Sequence, residues 1–152
     1  MKKLITIIAL TFSIGLWAEM KPLLKYLDEQ GELSNGSMLY IHYRCLGLYG
    51  MVTNVTSGST DKNSQAIAST VGARSVKLLE DTFVVWSLVR EDKSIEAFQE
   101  NLKRSVQPLA DNYQILANDN WINNGAYFEG NELLLGDLTV CGQLAEVRDE
   151  NN

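Results

Sequence analysis

Apolar residues recur along most of this chain at intervals of three and four. The clearest run is Ile95, Phe98, Leu102, Val106, Leu109, Tyr113 and Leu116, spaced by 3, 4, 4, 3, 4 and 3 residues. That interval gathers side chains on one face of an α-helix. It predicts a helix over 94–117, capped by Ser94, with Glu96 in the first turn favouring the positive helix end. Pro108 lies inside it and predicts a kink near Arg104, because its ring removes a backbone hydrogen bond.

Four further segments read the same way. Pro22 suits a helix start and Gly31 a stop, so residues 22–30 form a short helix. Ser37 is placed to cap a helix over 37–56, with Gly58 just beyond. Val71, Leu78, Val85 and Val89, with Leu79, Phe83 and Trp86 beside them, predict a helix over 64–90. The stretch "FVVWSLV" alone suits a buried strand, but the spacing upstream and the lack of turn signals favour helix. Asn131 caps a final helix over 131–147, where Leu134, Leu138, Cys141 and Ala145 share a stripe. Residues 56–65 read as a polar linker, and the Asn-rich 117–131 as a long loop. The expected architecture is all-α, a four-helix-bundle-like small domain with an extra short N-terminal helix. One domain over 19–152 suits the chain's 152 residues.

The N-terminus does not fit the bundle pattern. Lys2 and Lys3 precede an apolar run from Leu4 to Trp17, followed by the small Ala18 and the polar Glu19. A basic start, a short apolar core and a small residue at the boundary predict a secretory signal peptide over residues 1–18. The rival is an uncleaved membrane anchor, but the run is short for a span, which takes about 20 apolar residues. Cleavage leaves 11 basic against 19 acidic residues, a net charge near −8. Such a chain repels phosphate backbones and anionic headgroups, so neither nucleic acid nor a membrane surface is the expected partner. "NGS" at 35–37 and "NVT" at 54–56 match glycosylation acceptors. They matter only in a eukaryotic secretory pathway, and the short Lys-Lys signal has a bacterial character.

Export changes the meaning of Cys45 and Cys141, the only two cysteines. Outside the cytoplasm a pair is expected to oxidise, and one pair has one connectivity. At spacings of 3 or 4 from Cys45 lie Met38, Ile41, His42, Leu48, Tyr49 and Val52, an almost wholly apolar face. Cys141 is likewise central on its own stripe. The two are placed to staple the first bundle helix to the last. A reactive cysteine would instead occupy a partly exposed, electropositive pocket.

The segment "YIHYRCLGLYG" (residues 40–50) concentrates the rare residues. His42 one turn before Cys45 raises a Cys–His nucleophile, but a histidine at the core edge is the expected reading. One His and two Cys make at most three zinc ligands and would forfeit the disulfide, so no metal or cofactor is expected. Gly47 and Gly50 cost helix stability and allow a neighbouring backbone close approach. Leu39, Tyr43 and Leu46 add apolar groups on a second side, so this helix is either central or shared between subunits; central is the expectation. Glu80-Asp81 and Glu91-Asp92 read as solvated surface. Neither a phosphate loop nor a nucleophile elbow is present in the sequence.

Asn118, Asp119, Asn120, Trp121, Asn123, Asn124, Tyr127 and Phe128 form the candidate binding loop. Rings stack on sugars and amides pair with hydroxyls. EF-hand spacing fails there, since Ile122 would occupy a ligand position. The sequence thus describes an exported, periplasmic or secreted, non-enzymatic helical protein with one structural disulfide. Its expected role is protein interaction or structure in the cell envelope, with another protein or a second copy as partner. The alternative is a small-ligand or carbohydrate binder using 117–131.

Overall fold

A computed structural model describes residues 20–58, 60 and 62–146. The proposed signal peptide at 1–18 and the charged tail lie outside the described residues. The fold is all-α, and five helices occupy the described residues: α1 (Leu23–Gln30), α2 (Asn35–Ser57), α3 (Lys62–Val89), α4 (Ile95–Asn124) and α5 (Glu132–Glu146).

Local chemistry sets the helix ends. Ser94 and Asn131 accept from the backbone N–H groups of Ala97 and Leu134, and so begin α4 and α5. Gly31 and Gly125 end α1 and α4 with positive φ, a conformation that costs glycine little. The start of α2 differs from the sequence expectation. Ser34, not Ser37, is its cap and accepts from the Ser37 N–H at 3.0 Å. Both serines were eligible; the Ser37 hydroxyl is used elsewhere and donates to Gln30.

Helix α2 is the central element. Almost every side chain from Leu39 to Val52 is buried, on all sides of the helix. Helices α3 and α4 both lie along it, and α5 packs against it with α1 behind. Leu48, Tyr49, Val52, Leu78, Tyr113, Ala117 and Leu134 centre the main core. A second cluster of Leu39, Tyr43, Trp86 and Phe98 sits under the α3–α4 turn. There the Phe98 ring lies 5.1 Å from Phe83 and 5.2 Å from Trp86.

Although α3 and α4 share α2 as a base, their backbones scarcely approach one another. The apolar stripes read from the sequence are therefore wider than the faces that α2 covers. Leu79, Val89 and Ile95, which those stripes assign to the core, are 40%, 37% and 61% exposed.

Candidate functional site

Among the described residues, side chains able to do chemistry or binding gather in several places. The first surrounds the disulfide. Cys45 of α2 and Cys141 of α5 are bonded and wholly buried. No thiol therefore remains for the buried His42 to activate.

Arg44 precedes Cys45, and Asp137 lies one turn before Cys141, so the same two helices also meet through an ion pair. Both side chains are at most 1% exposed. The Arg44 Nε donates to the Tyr113 hydroxyl at 3.0 Å and Nη1 donates to the Lys21 carbonyl at 2.6 Å. Nη2 and the Tyr113 hydroxyl both donate to Asp137 Oδ2, and Oδ1 accepts from the Leu23 N–H at 2.6 Å. The cluster ties α2, α4 and α5 to the chain entering α1. Burial, reinforced by the Asp137 charge, raises the Tyr113 hydroxyl far above the usual tyrosine range, while Arg44 opposes the shift. Burial alone would lower the Arg44 pKa, but Tyr113 and Asp137 outweigh it and hold the guanidinium above its ordinary value.

Arg44 also borders a hollow of about 370 Å³ with Tyr26, Tyr40, Lys21 and Glu29. Each of its three nitrogens already donates inside the protein. Sequence reasoning passed over this cluster because lone charges between apolar residues read as surface. The available signal was position: each charge sits beside, or one turn from, a cysteine on a buried face.

The second place is residues 117–131, and here the structure corrects the loop. Helix α4 continues to Asn124, so Asn118, Asp119, Asn120, Trp121, Asn123 and Asn124 are helical, and only Tyr127 and Phe128 follow it. Asparagine lowers helix propensity by only a fraction of a kcal/mol per residue, and the stretch contains no glycine before Gly125. Two of the amides are engaged in the fold. Asn120 Nδ2 donates to the carbonyls of Ala126 and Glu129, both at 2.8 Å, and Asn124 Nδ2 donates to Asn120 Oδ1 at 2.7 Å. Asn118 accepts from Gln114 at 3.0 Å. Trp121 stacks on Tyr127 with ring centroids 4.8 Å apart and remains half exposed. Asp119 and Asn123 point to solvent.

The third place is the gap between α3 and α4, which sequence reasoning did not single out. It is a groove of about 490 Å³ lined by Leu79, Phe83, Val84, Ile95, Phe98 and Leu102, with Glu80 and Gln99 at its edge. Beyond Leu79 and Leu102 it continues past Leu46, Val106 and Lys103. Val76 and Val84, on the same flank of α3, are 63% and 48% exposed. Among the described residues, no helix is long and apolar enough to cross a membrane and no acidic, His or Cys cluster could hold a metal ion. Comparisons with protein-family models, curated proteins and solved structures gave no match to the chain.

Proposed function

We propose that this chain is an exported, non-enzymatic binding protein of the cell envelope that engages a protein partner through the α3–α4 groove. The observation that supports this reading is the groove itself, an open channel in which six of the eight lining residues are aliphatic or aromatic. With Val76, Val84 and Ile95 standing exposed beside it, the groove gathers apolar side chains in one place on the surface, and a protein partner would take them out of water. Export is supported by the sequence of residues 1–18 and is compatible with the disulfide. The buried Arg44–Tyr113–Asp137 cluster holds residue types used in catalysis, but its groups are satisfied within the fold and closed to solvent. The carbohydrate alternative draws little support from Asn120 and Asn124, whose amides tie down the end of α4.

The test uses the protein recovered from the envelope fraction. Its intact mass should correspond to a chain beginning after Ala18. Wild-type protein, immobilised and challenged with envelope extract, should retain a partner that Ile95→Glu does not. Circular dichroism and a closed disulfide would show that the variant is folded. Equal retention by both proteins would remove the groove from the reading.

A further inference from the structure

We infer that the occupant of the α3–α4 groove is the same groove of a second copy, in a two-fold dimer whose axis runs along the groove. The inference rests on the binding role proposed above and names its partner.

The argument starts from shape. Helix α3 carries Val76, Leu79, Phe83 and Val84 on one flank, and α4 carries Ile95, Leu102 and Val106 on the facing flank. Protruding and recessed groups therefore lie side by side on one face. Val76, Val84 and Ile95 stand out at 63%, 48% and 61% exposure, while Phe98 forms the floor at 6%. A face with both ridge and channel can pack against its own copy, which is what a two-fold interface requires.

Charge selects this partner and this axis. The mature chain carries a net charge near −8, and two copies repel wherever their acidic surfaces meet. The groove avoids this. Its lining holds one acid, Glu80 on the α3 wall, and one base, Lys103 on the α4 wall. Both flank the level where Leu79 meets Leu102, and neither forms an ion pair among the described residues. Rotation about an axis along the groove lays α3 of one copy over α4 of the other. Each Glu80 then faces the Lys103 of the other copy, giving two opposite-charge pairs around an apolar centre. An axis across the groove would lay α3 over α3 and oppose like charges, which is disfavoured.

The test is the mass of the full mature protein by light scattering and sedimentation over a range of concentrations. The wild type should show a dimer. Ile95→Glu should raise the dimer Kd by about 100-fold. Glu80→Lys and Lys103→Glu should each raise it by about 10-fold, and the double variant should return it close to wild type. Circular dichroism and the closed disulfide verify folding of each variant. A wild type that stays monomeric overturns the dimer. So does a dimer insensitive to Ile95→Glu, and so does a double variant no better than the singles. If the wild type is monomeric while Ile95→Glu still loses an envelope partner, the dimer falls and the binding role stands. If neither mass nor partner responds, both fall.

Discussion

Arg44 and Asp137 form a buried ion pair beside the disulfide that joins the same two helices, since Arg44 precedes Cys45 and Asp137 lies one turn before Cys141. Asp137 is the busier partner, accepting from Arg44, Tyr113 and the Leu23 N–H. Asp137→Ala leaves three buried donors without their acceptor, one of them charged. The expected loss is about 3–5 kcal/mol, the range for breaking one side of a buried pair. Replacing both partners, as Arg44→Met with Asp137→Leu, should cost clearly less than the two single changes added together, because no charge is then stranded. Urea unfolding of the wild type, Arg44→Met, Asp137→Leu and the double variant measures this coupling, and Asp137→Ala beside them measures the stranded donors. Additive losses would show that the pair is not coupled.

The disulfide acts on the same helices by other means. It joins residues 96 apart in sequence, so it limits the unfolded chain more than it adds contact to the folded one. Replacing Cys45 and Cys141 together with Ala should lower stability by about 4–5 kcal/mol on the chain-entropy estimate, with measured losses often smaller. Because both sulfurs are wholly buried, a mild reductant should leave the native protein's mass unchanged and reduce it only once denaturant is added. Rapid reduction under native conditions would contradict the burial.

The helices were legible in the sequence because three-and-four spacing and capping residues act locally. The staple was legible too: Cys45 and Cys141 each sit mid-stripe. What the pattern does not carry is how much of each stripe a neighbour covers. Ile95 and Leu79 obey the helical period as well as Phe98 and Leu78 do, yet the first two are open to water and the second two are not. The difference arises from α3 and α4 standing apart on α2, a tertiary fact. Arg44 and Asp137 were missed for a related reason, since a charge is expected at the surface until a partner across the fold is known. Asn118 to Asn124 misled in the opposite direction: turn-forming residues were absorbed by a helix that had no stop before Gly125.

Tyr113 gives the fold an alkaline limit. Its hydroxyl keeps its proton in the folded state well above the ordinary value of 10.0, because of burial and then the Asp137 charge. In the unfolded chain the same phenol ionises at about pH 10. The raised pKa means the stabilisation is fully present below that pH and is lost as pH rises above it, by about 1.4 kcal/mol per pH unit. Tyr113→Phe removes the ionisable group, so its stability should fall less steeply above pH 10 than that of the wild type. Denaturant midpoints across the alkaline range measure both slopes, and equal slopes would place the alkaline loss elsewhere.

The two glycines of α2 should respond oppositely to alanine. At Gly47 an added Cβ would lie 3.0 Å from the Ala110 backbone nitrogen and 3.0 Å from Leu109 Cβ. That is where α4 crosses α2, and a shift of the α4 backbone there would carry with it Tyr113, one turn on, and the polar cluster it anchors. At Gly50 a Cβ meets nothing within 4 Å, and the residue is exposed. The sequence treated both as candidates for close approach; only Gly47 has that role. Gly47→Ala should cost about 1–3 kcal/mol through overpacking. Gly50→Ala should instead gain about 0.5–1 kcal/mol, since alanine loses less backbone freedom in a helix. Urea midpoints of the two variants decide it, and a stabilising Gly47→Ala would mean that α4 does not approach α2 as closely as this fold requires.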